Sequence, residues 1–274
     1  MREFAFTDSD FKVISERVYK ACGIVLGPHK REMVYSRLAR RIRSNELTSF
    51  AAYLDYLDTH NDVEFSHFIN AITTNLTSFF RENHHFEHLH DKVIPTLLES
   101  NKESKRVRIW SAGCSTGEEP YSIAMTLTGC FPASWDVKVL ATDLDSNVLA
   151  KAQQGIYEPV TITGLSPAQL KQYFLKSADG SAYRVKPQLQ QMISFKRLNL
   201  LEKWPMKGPF DVIFCRNVLI YFDKETKDNL FQGYHRMLAR DGHLFIGHSE
   251  TMGKEHSEFK NLGKTMYKKV CNEE

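Results

Sequence analysis

At 274 residues, 42% hydrophobic and 25% charged, the chain can bury a proper core and has the balance of an ordinary soluble globular protein. A formal net charge of +3 is too small to argue for nucleic acid as a general partner. No N-terminal apolar stretch reads as a signal peptide, and no apolar run approaches the ~18 residues of a membrane span, so secretion and membrane insertion are not expected. Five scattered cysteines (Cys22, Cys114, Cys130, Cys215, Cys271) lack C-x-x-C spacing. They suit a reducing cytoplasm and give no zinc pattern.

In chain order, residues 1–72 read as a helical domain. Thr7, Asp8, Ser9 and Asp10 offer N-caps for a helix from Phe11 to Cys22, with Gly23 as its stop. A second helix is predicted from His29 to Arg43, where Val34, Leu38 and Ile42 recur at i, i+4 and i+8 as one core-facing stripe. Arg37, Arg40 and Arg41 fall on the opposite side, with Lys30, Arg31 and Arg43 nearby. Such a face reads either as a solvated charge run or as a docking surface for an acidic partner. Further helices are expected at Ser49 to Leu57 and Asp62 to Ala71.

Asn75 to Glu82, NLTSFFRE, reads as an extended linker that carries function. Arg81, behind two phenylalanines, is suited to holding a carboxylate bidentately in a partly dry site; the alternative is a surface arginine lying along apolar neighbours. His84, His85, His88 and His90 follow, with His84 and His88 one helical turn apart. No carboxylate or cysteine pattern completes a ligand set, so helix-surface histidines are expected, and no metal.

The stretch most telling of function runs from Arg106 to Ser122, RVRIWSAGCSTGEEPYS. It reads as a strand, a small-residue turn with Gly113 and Gly117, and a helix opening at Glu118-Glu119-Pro120. Strand, glycine turn, helix is the nucleotide-cofactor corner of a doubly wound α/β sheet. Gly-x-x-x-Gly departs from the dinucleotide spacing, and two carboxylates at the helix start would repel a pyrophosphate. A cofactor without phosphates and with a cationic group is favoured, and S-adenosylmethionine fits. The alternative is a tight turn whose acids complement the helix dipole.

A second strand is predicted over Trp135 to Ala141, with Asp143 the candidate for ribose hydroxyls and Asp145 the N-cap of Asn147 to Gln153. From Gly155 to Gln191 the βα rhythm breaks: a short helix over Ser166 to Phe174 and a turn at Asp179-Gly180 predict an antiparallel insertion on the sheet. Strands resume at Met192 to Arg197 and Phe210 to Cys215, the latter a near-continuous apolar run expected of a parallel strand buried on both faces. Arg216, Asn217 and Tyr221 follow it, beyond the carboxyl end where ligands sit. A helix over Asp223 to Arg240, a turn at Asp241-Gly242, a strand over His243 to Gly247 and an antiparallel strand over Thr265 to Val270 complete the chain.

Six motifs in order, NLTSFFR (75–81), SAGCSTGEEPYS (111–122), ATDLD (141–145), LNL (198–200), FDVIFCRNVLIYF (210–222) and GHSE (247–250), carry a resemblance over nearly the whole chain. The chain resembles the CheR-type chemotaxis receptor methyltransferases. The resemblance implies an all-α N-terminal domain (1–72) and an S-adenosylmethionine-binding α/β domain (73–274) of Rossmann-like methyltransferase fold, with a small antiparallel β-subdomain inserted at about 158–191. It implies methyl transfer to glutamate side chains of chemoreceptors, giving methyl esters and S-adenosylhomocysteine. Cofactor contacts then fall on Asn75, Thr77, Arg81, Glu118 or its neighbour Glu119, Asp143, Asn199, Leu200, Arg216 and Asn217. Arg81 and Tyr221 would stand near the transferred methyl, and Arg37, Arg40, Arg41 and Arg43 would dock on the receptor's methylation helices.

The chemistry agrees with that expectation. A glutamate carboxylate is ionised near pH 7, so attack on a sulfonium methyl needs no strong base, and catalysis is mainly alignment and exclusion of water. The short loop Lys176 to Ala182 disfavours a tether to a receptor C-terminal pentapeptide. A monomer in the cytoplasm is expected. The rival readings are a methyltransferase acting on a small molecule or RNA, and a non-catalytic adaptor that responds to the cofactor.

Overall fold

The computed structural model describes residues 2–60 and 63–270. The helix start expected at Asp62 and the thiol of Cys271 lie outside the described residues. The chain divides into two compact units, Met1–Thr74 with Tyr221–Lys227, and Asn75–Ile220 with Asp228–Glu274.

The smaller unit carries α1 (Asp8–Cys22), α2 (Arg31–Ser44), α3 (Phe50–Thr59) and α4 (Glu64–Ile72). Thr7 accepts from Asp10 N while the Asp10 carboxylate accepts from Thr7 N, a reciprocal cap worth about 1 kcal/mol. Gly23 ends α1 in the left-handed region at φ 70°. A 3-10 turn over Pro28–Lys30 takes the place of the first turn expected of α2. Val34, Leu38 and Ile42 are fully buried, as their spacing requires.

The larger unit opens with one continuous helical run, α5 (His84–His88), a π-helical turn (Leu89–Val93) and α6 (Ile94–Ser100). The alternation β1 (Arg106–Ala112), α7 (Glu118–Leu127), β2 (Asp136–Asp143) and α8 (Ser146–Gln154) follows. Next come β3 (Ile156–Tyr157), α9 (Pro167–Tyr173), β4 (Phe174–Lys176), β5 (Tyr183–Val185) and α10 (Pro187–Gln190). The chain continues through β6 (Ile193–Arg197), β7 (Phe210–Cys215), α11 (Lys224–Met237), β8 (Leu238–Ile246), β9 (Phe259–Gly263) and β10 (Met266–Lys269). The main sheet has the order β6-β2-β1-β7-β8-β10-β9, with β6, β2, β1, β7 and β8 parallel and β10 antiparallel to both neighbours. Strand order reverses between β1 and β7, which opens a crevice at their carboxyl ends.

The expected antiparallel insertion is present: β3, β5 and β4 form a small sheet of their own beside the main one. Two expectations change. The turn expected at Asp241-Gly242 is absorbed within β8, where Asp241 has φ 59° and the register against β7 shifts between Phe210 and Val212. Between those pairs β8 carries three residues more than β7, and the excess is taken up as an irregularity within the strand, which continues. The strand β9 was not expected; of its residues only Phe259 is buried, so it shows no alternation to read.

Candidate functional site

The glycine turn is folded back onto β2. Gly113 N and Cys114 N both donate to Thr142 O, at 2.8 and 2.9 Å. Gly113 has φ 101°, and a Cβ there would stand 2.3 Å from Val218 Cγ2, so the turn after β1 abuts the segment after β7. Only glycine satisfies both demands. Ser115 N donates to Asp143 Oδ2 (2.8 Å) and Asp145 N to Asp143 Oδ1 (2.9 Å). Asn75 Nδ2 donates to Asp145 Oδ2 (2.9 Å), and Ser115 Oγ donates to Asn75 O (2.9 Å). Asp145 also caps α8 through Asn147 N, as expected. Three stretches distant in sequence therefore meet at Asn75, Ser115 and Asp143. Burial raises the Asp143 carboxyl to about 6, against the two backbone N–H groups that favour its anion.

The two acids of α7 have different surroundings. Glu119 accepts from Ser111 Oγ (2.7 Å) at one oxygen and from Arg216 Nη1 (3.2 Å) at the other. Glu118, buried at 3% exposure, takes Thr116 Oγ1 (2.7 Å) at Oε2. Burial raises both carboxyls; Thr116 opposes this at Glu118, and Arg216 does so at Glu119.

Arg216 is the hub of a second cluster. Its side chain is 2% exposed, and besides Glu119 it reaches Glu82 Oε2 (3.4 Å) and donates to the backbone carbonyl of Arg81. Glu82 also accepts from His248 N (3.1 Å) and stands 2.8 Å from His248 Nδ1. Burial alone would raise the Glu82 carboxyl; the His248 hydrogen bonds and the Arg216 charge outweigh it and bring it down to about 2. Phe80 (φ 52°) and Glu82 (φ 54°) flank Arg81 in the left-handed region, a strained backbone held by this cluster and by Phe80 N donating to Ser122 Oγ (2.9 Å). Arg81 Nη1 itself donates to Leu76 O (2.9 Å).

Glu250 is 4% exposed and gathers Asn217 N (3.0 Å), Ile220 N (3.1 Å) and Gly247 N (2.5 Å). It thus fastens the segment after β7, in which Asn217 has φ 59°, to the segment after β8. The sequence reading assigned no role to Glu82, His248 or Glu250. The GHSE motif was the available signal for the last two.

The remaining residues separate from this cluster. Asn199 turns toward its own loop, accepting from Leu201 N (3.2 Å), and Leu200 O accepts from Trp204 Nε1 (3.1 Å). Thr77 is half-buried in the segment before Phe79. Tyr221 ends a 3-10 turn (Leu219–Tyr221) and groups with the helical unit, where its carbonyl accepts from Val25 N (2.8 Å).

The basic helix is less free than its sequence implies. Arg37 donates to Ala71 O (3.2 Å), Ile72 O (3.0 Å) and Thr73 O, which closes the carbonyl end of α4. Arg41 grips Glu64 through Nε (3.0 Å) and Nη2 (2.5 Å), and Glu64 also accepts from Tyr53 OH (2.7 Å). Arg43 stands 3.6 Å from Glu3, and Arg40 is exposed.

The histidines do not all lie on a helix surface. His85 is fully buried, with Nε2 3.0 Å from Lys264 O, and burial takes its ring down to about 4. A carboxylate does join the cluster: donor atoms of Glu82, His84 and His85 lie within 4.8 Å of one another. That carboxylate is already met by the Arg216 guanidinium and by His248, which disfavours a cation between them.

Comparison with known proteins places this geometry. Residues 75–268 match the CheR methyltransferase S-adenosylmethionine-binding domain, and residues 9–73 match the CheR methyltransferase all-alpha domain. The chain is 45% identical to the chemotaxis protein methyltransferase of Salmonella typhimurium, over 97% of this chain and 92% of that protein. It is 45% identical to that of Escherichia coli (96% and 91% covered) and 43% identical to the probable chemotaxis protein methyltransferase of Rhizobium etli (92% and 96%). Sheet, glycine turn and matches together define an S-adenosylmethionine-dependent methyltransferase. The chain belongs to the CheR family of chemotaxis methyltransferases.

The residues present fit that cofactor. The acids Glu118, at the start of α7, and Asp143, at the end of β2, with the Arg216 guanidinium held by Glu82 and Glu119, suit ammonium, sulfonium and ribose hydroxyls and oppose phosphate. Among the described residues no helix is long and apolar enough to cross a membrane.

Proposed function

We propose that this enzyme methylates glutamate side-chain carboxylates on the cytoplasmic methylation helices of bacterial chemoreceptors, giving γ-glutamyl methyl esters. The observation that carries the reading is the strained Arg81 segment, held by Arg216 and Glu82 at the carboxyl ends of β7 and β8. It offers a cation to an incoming carboxylate within the unit that holds the acidic cofactor crevice.

S-adenosylmethionine supplies an electrophilic methyl on sulfur. Glu118, whose Oε2 alone receives the Thr116 hydroxyl, takes the cofactor's ammonium; Glu119 is occupied by Ser111 and Arg216, which supports choosing Glu118 of the two. Asp143 takes the ribose, and Asn75, Thr77, Asn199, Leu200 and Asn217 line the cofactor. Arg216 contributes through Glu119 and the Arg81 carbonyl. Arg81 guides the substrate carboxylate, and Tyr221 orients the methyl or the incoming oxygen. Because the nucleophile is already ionised, the residues' task is in-line alignment in a site closed to water.

Residues 1–72 form the receptor-docking domain and 73–274 the catalytic domain. Arg40 and Arg43 are the exposed members of the docking set, with Arg37 and Arg41 bracing their helix. The hairpin loop between β4 and β5, closed by Ser177 N to Ala182 O (2.9 Å), supports action without a pentapeptide tether, and the enzyme works as a cytoplasmic monomer.

The test is transfer of labelled methyl from S-adenosylmethionine to receptor cytoplasmic fragments. Alkali-labile label that vanishes when the target glutamates are replaced by alanine is the expected result. No label on receptor fragments, with label on a small molecule or RNA, would overturn the proposal.

A further inference from the structure

The exposed edge of the Arg216 cluster is an imidazole. His248 lies just past the carboxyl end of β8, and Arg216 and Asn217 just past that of its neighbour β7. The Glu82 carboxylate, 10% exposed, is 2.8 Å from His248 Nδ1 and also accepts from His248 N, while the His248 side chain is 63% exposed. The buried anion fixes the tautomer: Nδ1 carries the hydrogen and donates it to Glu82, which leaves Nε2 as the free ring atom. A carboxylate behind an imidazole in this way also stabilises the imidazolium. The strain at Phe80 and Glu82 places Arg81 in the same short segment as the orienting carboxylate.

We infer that the Glu82–His248 pair is a second receiving point for the substrate's carboxyl group, with His248 Nε2 as the contacting atom and Glu82 as its positioning residue. The inference rests on the glutamate reading above. The substrate carboxylate arrives ionised and meets His248 as the imidazolium: Nε2–H donates to one carboxylate oxygen, and Glu82 balances the imidazolium charge. The carboxylate oxygen forms the new C–O bond as the methyl–sulfur bonding pair returns to sulfur. The methyl ester is neutral and has no charge for His248 or Arg81 to hold, so the same pair favours product departure.

The group against this imidazole is Glu82, and Glu82 in turn stands 3.4 Å from Arg216 at the end of β7 and 3.7 Å from His85.

The experiment uses the full chain, labelled S-adenosylmethionine and a receptor-derived fragment, alongside calorimetry with S-adenosylhomocysteine. His248→Gln is expected to lower kcat/KM by about tenfold or more, chiefly through a raised KM for the fragment, with product affinity within about threefold of the parent. Glu82→Gln removes the group that orients the imidazole and is expected to reproduce part of that rise in KM. An unchanged kcat/KM in His248→Gln, or product affinity and thermal midpoint falling in step with kcat/KM, would overturn the inference. A parent chain that never labels the fragment counts against the glutamate reading instead. In that event, titrating glutarate into the enzyme with S-adenosylhomocysteine still decides the matter: a shift of the His248 ring signals supports the pair, and unmoved signals refute it.

Discussion

Each unit sets a guanidinium against buried carboxylate. In the helical unit Arg41, Glu64 and Tyr53 saturate one another: one cation, one anion and one hydroxyl, on α2, α4 and α3. In the catalytic unit Arg216 faces two carboxylates, Glu82 and Glu119, and the surplus anion is shared with an exposed imidazole. The closed set ties helices together and ends there. The open set retains unspent bonding capacity at a crevice, which is the condition for acting on something else.

Substitution can break that comparison. Arg216→Ala leaves two buried acids without the guanidinium that balances their charge, and the expected cost is about 3–5 kcal/mol of unfolding free energy by urea denaturation, with loss of product binding. A cost below about 1 kcal/mol would mean that the cluster is hydrated and not closed. Arg41→Ala is expected to cost less, about 2–3 kcal/mol, because Arg41 is one-quarter exposed, and to leave kcat on a saturating receptor fragment near the parent's. Joint loss of kcat and stability would show that the closed set also has a catalytic task.

An acid titration sharpens the contrast. The Glu82 carboxyl is held below its ordinary 4.5, at about 2, so its stabilisation is present above pH 4.5 and lost as pH falls through its folded value. Glu82→Gln should therefore be less stable than the parent at neutral pH by about 1–2 kcal/mol, the gap closing toward pH 2. A gap independent of pH would assign the effect to packing. The smallest effect is expected at Arg40→Ala, within about 0.5 kcal/mol in stability. Its signature is weaker receptor docking with a shallower salt dependence. Docking that ignores both the substitution and the salt would remove α2 from the interface.

The periodicity of α2, the apolar run of β7 and the glycine turn were legible because each is a local pattern whose cause lies within one element. The spent arginines were not. Their charge reads outward from the sequence of α2, while the carbonyls and carboxylate that absorb it belong to α4. The Glu82–His248 pair was equally hidden, since its members stand 166 positions apart and meet only when the ends of β7 and β8 lie side by side. Glu118 and Glu119 read as equivalent neighbours, until the turn of a helix sent one toward Arg216 and the other toward Thr116.

The contact between Gly113 and Val218 also bears on descent. A replacement at Gly113 meets two independent obstacles, a φ of 101° and a methyl group 2.3 Å from the new Cβ. Trimming Val218 relieves only the second. No order of single changes therefore passes through a comfortable intermediate, and a lineage carrying this fold is confined at that codon while the loops around it drift.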